Sequence, residues 1–559
     1  MKKSTFFVIL ITLSFSTLKL HATECSFEQV YLNPFTPLRT ADVYLKSNSR
    51  LSLNDQGLAV FDYGSAYGNA GKVVNPMFMA TYGLSLFEDH ILEPTIERLD
   101  GLRIQTDYLI SAAQEREFGG IKFYVWQYPF PYEKFEAKAG WISALAHGRI
   151  LSLFSQMYKL TGDSKYLEAA HLTFNSMIVP MSEGGVATYT SSGLWLEEIA
   201  DKDLKSIKIL NGQISAIAGV WTYAQNTCNT EAMLLTDKAI EAVVNDIELF
   251  DLGFISLYSV EPQDKPIYAP AGGYNHFHIR QLSWIYELSK STKVLDVAMN
   301  IAFYDEPRFT FTAKSSLDTK PPSNLTFKRK SSYWATSELG TWLNVDMHKN
   351  RKVDKIFLLA NGEDVKFYPN ELRVEYASSD MVWQEVEKLT KNQKFDLTTI
   401  SFNEVEAQHV RIYIDSVNGG NEVRLDGVFV NTNPKPVRAI SSWFDVYQKW
   451  NRPEYLFSHY WGTLADGWFV ADIGDFPVID NKLTLVYQPN KVEPGELLVS
   501  VGDSLDTLTA VEVIPKKVGK FYEYTIPIKS QQYMRLEFSG FTRGYALRIK
   551  CIMEETCKG

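Results

Sequence analysis

The chain has 559 residues, a formal charge of −10, 45% hydrophobic and 22% charged residues. That length exceeds one ordinary core and predicts three or four domains, and the acidic balance argues against a nucleic-acid partner. A polyanionic glycan would need a local cationic or hydrogen-bonding cleft, because field focusing depends on where charges sit and not on their total.

In chain order, Met1-Lys2-Lys3, the largely apolar run 6–13 and the small-residue site near Ala22 predict a signal peptide over 1–22. The apolar run is short of the ~20 residues a membrane span needs. No later run matches it, so the mature chain is expected to be periplasmic or secreted, with no membrane span. Losing Lys2, Lys3 and Lys19 with the signal would make the chain more acidic still. Export makes disulfides possible among Cys25, Cys228, Cys551 and Cys557, and Cys551 and Cys557 are spaced for a local pair. None has Cys-x-x-Cys spacing, which points to structural or free thiols.

A lead-in over 23–50 precedes a helical region. Ile96, Leu99, Leu102, Ile104, Tyr108 and Leu109 approximate a core-facing stripe, and further helices are expected at 141–160, 165–178, 209–225, 232–249 and 276–290. Thr161-Gly162-Asp163 stops one helix and Ser164 starts the next. Paired helices with glycine-bearing turns predict an (α/α) helical barrel or toroid over 23–306, with an N-terminal hairpin. Near Pro307 the period changes to alternating strands, predicting a β-sandwich over 307–433. Asn433-Pro434-Lys435-Pro436 reads as a second linker before a C-terminal β-sandwich over 437–559.

The helical region carries an ordered set of signatures: Ala139 to Arg149, Trp195-Leu196-Glu197-Glu198, Ile209-Leu210-Asn211-Gly212, Ser256-Leu257-Tyr258 and Tyr274-Asn275-His276-Phe277-His278-Ile279. With Leu53 to Val60 and Val74-Asn75-Pro76 upstream, the set resembles the glucuronyl C5-epimerase family over residues 50–306. The resemblance implies an isomerase that inverts carbon 5 of glucuronate in a heparosan-type polysaccharide. Such chemistry needs two groups on opposite faces of the ring, and donors that stabilise an enolate-like intermediate. The family pattern puts the carboxylate at Glu198 and tyrosines at Tyr258 and Tyr274, with Glu198 and Tyr274 as the opposed acid/base pair. It also makes Trp195, Arg149, Asn211, His278, Arg280 and His147 candidates for substrate contact. The expected partner is an acidic polysaccharide, and a homodimer stays open.

Taken alone, Glu198 reads as a solvated loop carboxylate or a partner of Arg149 or Arg280; the neighbouring signatures turn the reading to a catalytic role. His276 and His278 diverge at a spacing of two, so they form no metal pair. No metal set is apparent, no Gly-x-Gly-x-x-Gly precedes a helix, and no cofactor is expected. Four positions depart from the family: His147 stands where a glutamine is common, and three more follow. Ile199 stands where a tyrosine follows the paired glutamates, Glu261 replaces a cation, and Asn275 replaces a histidine. Tyr189 and Tyr268 are candidates for the missing hydroxyl. These departures keep two alternatives open: a polysaccharide lyase that sheds the 4-linked sugar from the same carbanion, and a non-catalytic glycan-binding scaffold.

Downstream, Trp342 to Asp346, Tyr376-Ala377-Ser378-Ser379-Asp380 with Trp383, Val410-Arg411-Ile412 and Val423 to Val428 resemble the discoidin or coagulation-factor type C domain. That resemblance implies a β-sandwich of the kind often used as a carbohydrate-binding module.

Overall fold

A computed structural model describes residues 29–36, 40–261, 267–269, 273–305, 309–325, 333–359, 365–390, 397–433, 438–442, 461–463, 467–473, 482–488, 496–519, 521–529, 531–539 and 547–552. The expected signal peptide, Cys25, Cys557 and residues 434–436 of the second linker lie outside these residues. Cys228 is disulfide-bonded.

The chain begins with α1 (Ala41–Ser47), inside the expected lead-in, and a three-stranded antiparallel sheet of β1 (Leu51–Leu53), β2 (Ala59–Asp62) and β3 (Lys72–Val73). Between β2 and β3 the irregular turn α2 (Ala66–Asn69) holds Tyr67 and Asn69 at φ 52° and 63°, flanked by Gly64, Gly68 and Gly71, all at positive φ. Non-glycine residues rarely adopt this region, and it is a place where backbone strain is stored.

Helices α3 (Pro76–Leu92) and α4 (Ile96–Ala112) follow, then the hairpin β4 (Gln114–Phe118) and β5 (Ile121–Val125). After them come α5 (Ala144–Thr161), α6 (Ser164–Ile178), the hairpin β6 (Ala187–Thr190) and β7 (Gly193–Leu196), α7 (Leu210–Thr227) and α8 (Thr230–Asp246). Strands β8 (Leu257–Ser259) and β9 (Ile267–Tyr268) precede α9 (Asn275–Ser289) and α10 (Thr292–Asp305). Local chemistry sets several boundaries. Asn75 caps α3 by accepting from the Met77 and Phe78 amides, with Pro76 at the first helical position. Ser143 caps α5, Gly162 ends it at φ 70°, and Asp163 caps α6.

The helices pack as antiparallel pairs, α3/α4, α5/α6, α7/α8 and α9/α10, and the first members lie side by side in the order α3, α5, α7, α9. Helices α5 and α7 are buried along most of their length, so they form an inner layer under the half-exposed α4, α6 and α8. All four inner helices run the same way. Their N-termini, at Asn75, Ser143, Ile209 and Tyr274, therefore share one end of the bundle.

A β-sandwich follows, built on the antiparallel order β10 (Thr310–Ala313), β12 (Thr341–Leu359), β15 (Leu397–Val417), β13 (Pro369–Ala377), β14 (Gln384–Thr390), with β17 (Gly427–Asn433) on the far half of β12. Strands β11 (Trp334–Thr336) and β16 (Val423–Leu425) pair against it, and Val345, Ile356, Val410, Ile412 and Trp334 fill its core. The last unit has two five-stranded antiparallel sheets sharing a core of Phe469, Leu485, Val499, Ile526 and Leu536. Its strands β18 (Arg438–Ser441), β19 (Trp461–Thr463) and β20 (Gly467–Asp472) open it, and Ile440, Trp468 and Val470 of β18 and β20 join the core of the helical region. Buried Arg438 pairs with Asp472 at 2.5 Å and reaches Asp296 of α10 at 3.1 Å. Trp468 Nε1 donates to Glu287 of α9 at 3.1 Å.

Candidate functional site

Glu198 lies just past β7, against the first turn of α7. Its Oε1 accepts from the Tyr258 hydroxyl at 3.2 Å and its Oε2 from Asn211 Nδ2 at 3.2 Å. No side chain caps α7 or α9, so their amide ends stay directed toward this region. Burial pushes the Glu198 carboxyl up to about 7, against the lowering effect of the Tyr258 and Asn211 hydrogen bonds. A carboxyl poised there can both take and return a proton near neutrality. Its neighbour Glu197 is spent on structure: Ser206 Oγ and the Ile207 and Lys208 amides all donate to it, pinning the loop ahead of α7.

Tyr258 stands on β8, and its ring lies 4.6 Å from that of Tyr274 at the start of α9. Ser256 Oγ donates to Asn275 Oδ1 at 2.6 Å, which ties β8 to α9 and fixes the two tyrosines relative to each other. Burial and the nearby Glu198 charge push the Tyr274 hydroxyl up to about 12.

A cavity of about 160 Å3 opens beside Glu198 and Ile199. Tyr63, Tyr67 and Asn75 reach it from the N-terminal hairpin and α3, and Tyr128, Phe130, Tyr132, Trp141 and Ser143 from the segment before α5. Tyr128 stacks on Trp141 at 3.9 Å, and Tyr63 receives a 2.5 Å hydrogen bond from Asn75 Nδ2. Flat aromatic walls with a few convergent hydroxyls and one titratable carboxyl suit a sugar ring. The wall tyrosines are not marked by any signature in the sequence: they are four among 30, and long-range folding brings them here. The one local hint is the glycine-rich run 64–71 around Tyr67.

The structure thus brings Glu198, Tyr258, Tyr274 and Asn211 together. It places other candidates elsewhere. Trp195 is fully buried, stacks on Phe250 and donates from Nε1 to Asp246 at 2.9 Å, so it is a core residue rather than a sugar contact. His147 is also fully buried, with Nδ1 2.9 Å from Ser176 Oγ and Nε2 facing the Trp126 amide, and burial pushes it down to about 3. It joins α5 to α6 and β5 as a neutral ring and does not reach the cavity. Arg149 and Arg280 hold the lead-in instead, donating to Asn33 Oδ1 at 3.1 Å and to the Pro34 carbonyl at 2.9 Å. Their positions on the second turn of α5 and α9 carry them below the cavity.

His278 is buried one turn along from Tyr274, with its ring 6.4 Å away and neither ring nitrogen hydrogen-bonded. Tyr189 is 57% exposed and donates to the Ile178 carbonyl, away from Glu198. Tyr268 is buried on β9 opposite Leu257. Among the described residues no group of three or more His, Cys, Asp or Glu is arranged to hold a metal ion. No helix of the described residues is long and apolar enough to cross a membrane.

Several known proteins are similar to parts of this chain. A D-glucuronyl C5-epimerase of Caenorhabditis elegans is 28% identical over 125 residues, 22% of this chain and 19% of that protein. An uncharacterized protein of Methanocaldococcus jannaschii is 29% identical over 189 residues, 32% of this chain and 59% of that protein. The chain therefore spans under two thirds of either relative. The family 32 carbohydrate-binding module of Streptococcus pneumoniae EndoD is 16% identical, covering 22% of this chain and 96% of that one at a TM-score of 0.21. The corresponding module of Clostridium perfringens NanJ, solved with galactose, is 18% identical, covering 22% and 93%, also at a TM-score of 0.21. Residues 120–302, which hold Glu198, Tyr258 and Tyr274, match the family described as D-glucuronyl C5-epimerase C-terminus, and residues 310–425 match the F5/8 type C domain.

Proposed function

We propose that this protein epimerises carbon 5 of glucuronate residues in a heparosan-like polysaccharide. The observation that carries the reading is Glu198: a carboxyl raised to about 7 by burial, held by Tyr258 and Asn211, beside an aromatic-walled cavity. As carboxylate it takes the C5 proton of the uronate. Tyr274, on the other face of the ring, returns one, and Tyr258 holds Glu198 in place as its charge changes. The uncapped amide ends of α7 and α9 favour the negative charge that grows on the uronate carboxyl, at about 0.3–1 kcal/mol each. Asn211, which holds Glu198, completes the substrate-contacting set, whereas His278 is as fully buried as His147 and stays behind Tyr274.

In this reading the helical pairs form an (α/α) toroid over 23–306 whose open end receives the polymer, and the sandwiches over 307–433 and 437–559 follow it. The F5/8 type C match supports glycan binding by the first sandwich. The test is C5 deuterium incorporation from heavy water into heparosan, chondroitin and alginate. Wild type is expected to exchange on one of them and Glu198→Ala on none. Equal exchange by Glu198→Ala would overturn the assignment, and an unsaturated product absorbing in the ultraviolet would make the enzyme a lyase.

A further inference from the structure

The family pattern supplies a tyrosine directly after its catalytic glutamate, and here that position is Ile199. Ile199 is buried and lines the same cavity as Glu198, so the wall loses a hydroxyl next to the reacting centre. Neither Tyr189 nor Tyr268 is seen to replace it: Tyr189 turns to Ile178, and Tyr268 is buried against β8.

The cavity contains another source. Tyr132, from the loop before α5, lines it together with Ile199, and its ring meets Tyr67 edge-on at 5.3 Å and Trp141 at 5.8 Å. Tyr67 lines the same wall of the cavity, so the two tyrosines stand side by side there. A tyrosine hydroxyl carries one hydrogen that it can donate to a bound ligand. Tyr67 is delivered by the strained turn between β2 and β3, at φ 52°, and the surrounding glycines at 64, 68 and 71 let the backbone make that excursion. An aromatic residue kept in a left-handed conformation at the mouth of a cleft is where a fold accepts strain in exchange for placing a side chain. The charges of Glu198 and Tyr274 are also felt at Tyr132, which puts its hydroxyl within the same electrostatic neighbourhood.

We propose that Tyr132, with Tyr67 beside it in the cavity wall, supplies the donor missing at Ile199, as a further catalytic residue that hydrogen-bonds the uronate carboxyl as it becomes enolate-like. This assignment rests on the uronate reading of Glu198. The donor acts on charge that develops during proton abstraction, so it strengthens in the transition state more than in the bound substrate.

The experiment is steady-state C5 exchange on the polymer that wild type accepts, with Tyr132→Phe, Tyr67→Phe and Tyr189→Phe. Tyr132→Phe is expected to lower kcat at least tenfold with KM within twofold and the pH midpoint unchanged. Tyr67→Phe should give a smaller loss of the same kind, and Tyr189→Phe none. A Tyr132→Phe kcat within twofold of wild type, or a defect wholly in KM, or an equal loss in Tyr189→Phe, overturns the assignment. Absence of exchange by wild type on every uronate polymer would instead overturn the reading of Glu198 on which it rests.

Discussion

Gly212 is the tightest point of the Glu198 site. A β-carbon built there would stand 2.3 Å from both Cβ and Oε2 of Glu198 and 2.9 Å from its Cγ, where ordinary contact begins at 3.4 Å. Rotating the Glu198 side chain would relieve Oε2 but not Cβ, so Gly212→Ala must push the 197–198 backbone away by ~1 Å, set against packing with little slack. The helix itself would gain ~1 kcal/mol from losing a glycine, against an overpacking cost of ~1–3 kcal/mol. Net stability should therefore fall only slightly. Activity should not be so lightly affected. A general base displaced by ~1 Å loses on the order of 100-fold in rate, and the 3.2 Å bonds from Asn211 and Tyr258 would be broken with it. Deuterium incorporation at C5, followed by mass spectrometry beside a thermal melt, separates the two effects. A variant that exchanges within threefold of wild type would refute the claim that α7 positions this carboxyl.

Other substitutions test the remaining roles. Wild-type exchange should rise about tenfold per pH unit up to about 7 and then level off, as the Glu198 carboxylate forms, while Glu198→Gln is inactive throughout; a flat wild-type profile from pH 5 to 9 would exclude a carboxylate base. Trp195→Phe removes the bond to Asp246 and should cost ~1–2 kcal/mol of stability with KM unchanged, whereas a raised KM would return Trp195 to the binding site. Arg438→Met removes the buried cation beside Asp472, which keeps its hydrogen bond from Gln532, and should destabilise by ~3–5 kcal/mol in a denaturant titration, and a change below 1 kcal/mol would show the pair to be dispensable.

The helices were legible because their signals are local. Asn75-Pro76 and Ser143 cap where the sequence offers a cap, and the expected helices 209–225 and 276–290 correspond to Leu210–Thr227 and Asn275–Ser289. The hairpin of β4 and β5 leaves in the sequence only the pair Gly119-Gly120 at its turn. Signature positions gave sequence neighbourhood but not direction. Arg149 lies six residues past the Ser143 cap, well over a turn down α5, and so points at the lead-in; Trp195 faces α8 because β7 alternates sides, while Glu198 follows after the strand has ended. The wall tyrosines were the hardest to read. Tyr63, Tyr67, Tyr128 and Tyr132 meet only when the hairpin folds over the loop before α5, and single tyrosines carry no spacing that predicts such a meeting.

Two buried histidines and two half-buried carboxyls, among the groups that shift on folding, act on stability in opposite directions as pH changes. His147 and His278 are pushed down from 6.5 to about 3, so below pH 6.5 the unfolded chain binds two protons that the folded chain refuses. Glu88 and Glu198 are pushed up from 4.5 to about 7, so above pH 4.5 the folded chain retains two protons that the unfolded chain releases. Stability rises with pH wherever the unfolded state holds more protons. Between pH 4.5 and 6.5 the two pairs therefore cancel, giving a plateau; below 4.5 the histidines alone remove ~2.7 kcal/mol per pH unit, and from 6.5 through about 7 the carboxyls alone make stability fall. The double variant Glu88→Gln/Glu198→Gln deletes one side of the balance. Its stability should climb by ~2.7 kcal/mol per unit from pH 4.5 to 6.5, read as a rising urea midpoint of the helical far-ultraviolet signal, while wild type stays level. A double variant that stays as level as wild type would mean that the two carboxyls do not keep their protons in the fold, and with that the case for Glu198 as a base poised near neutrality would fail.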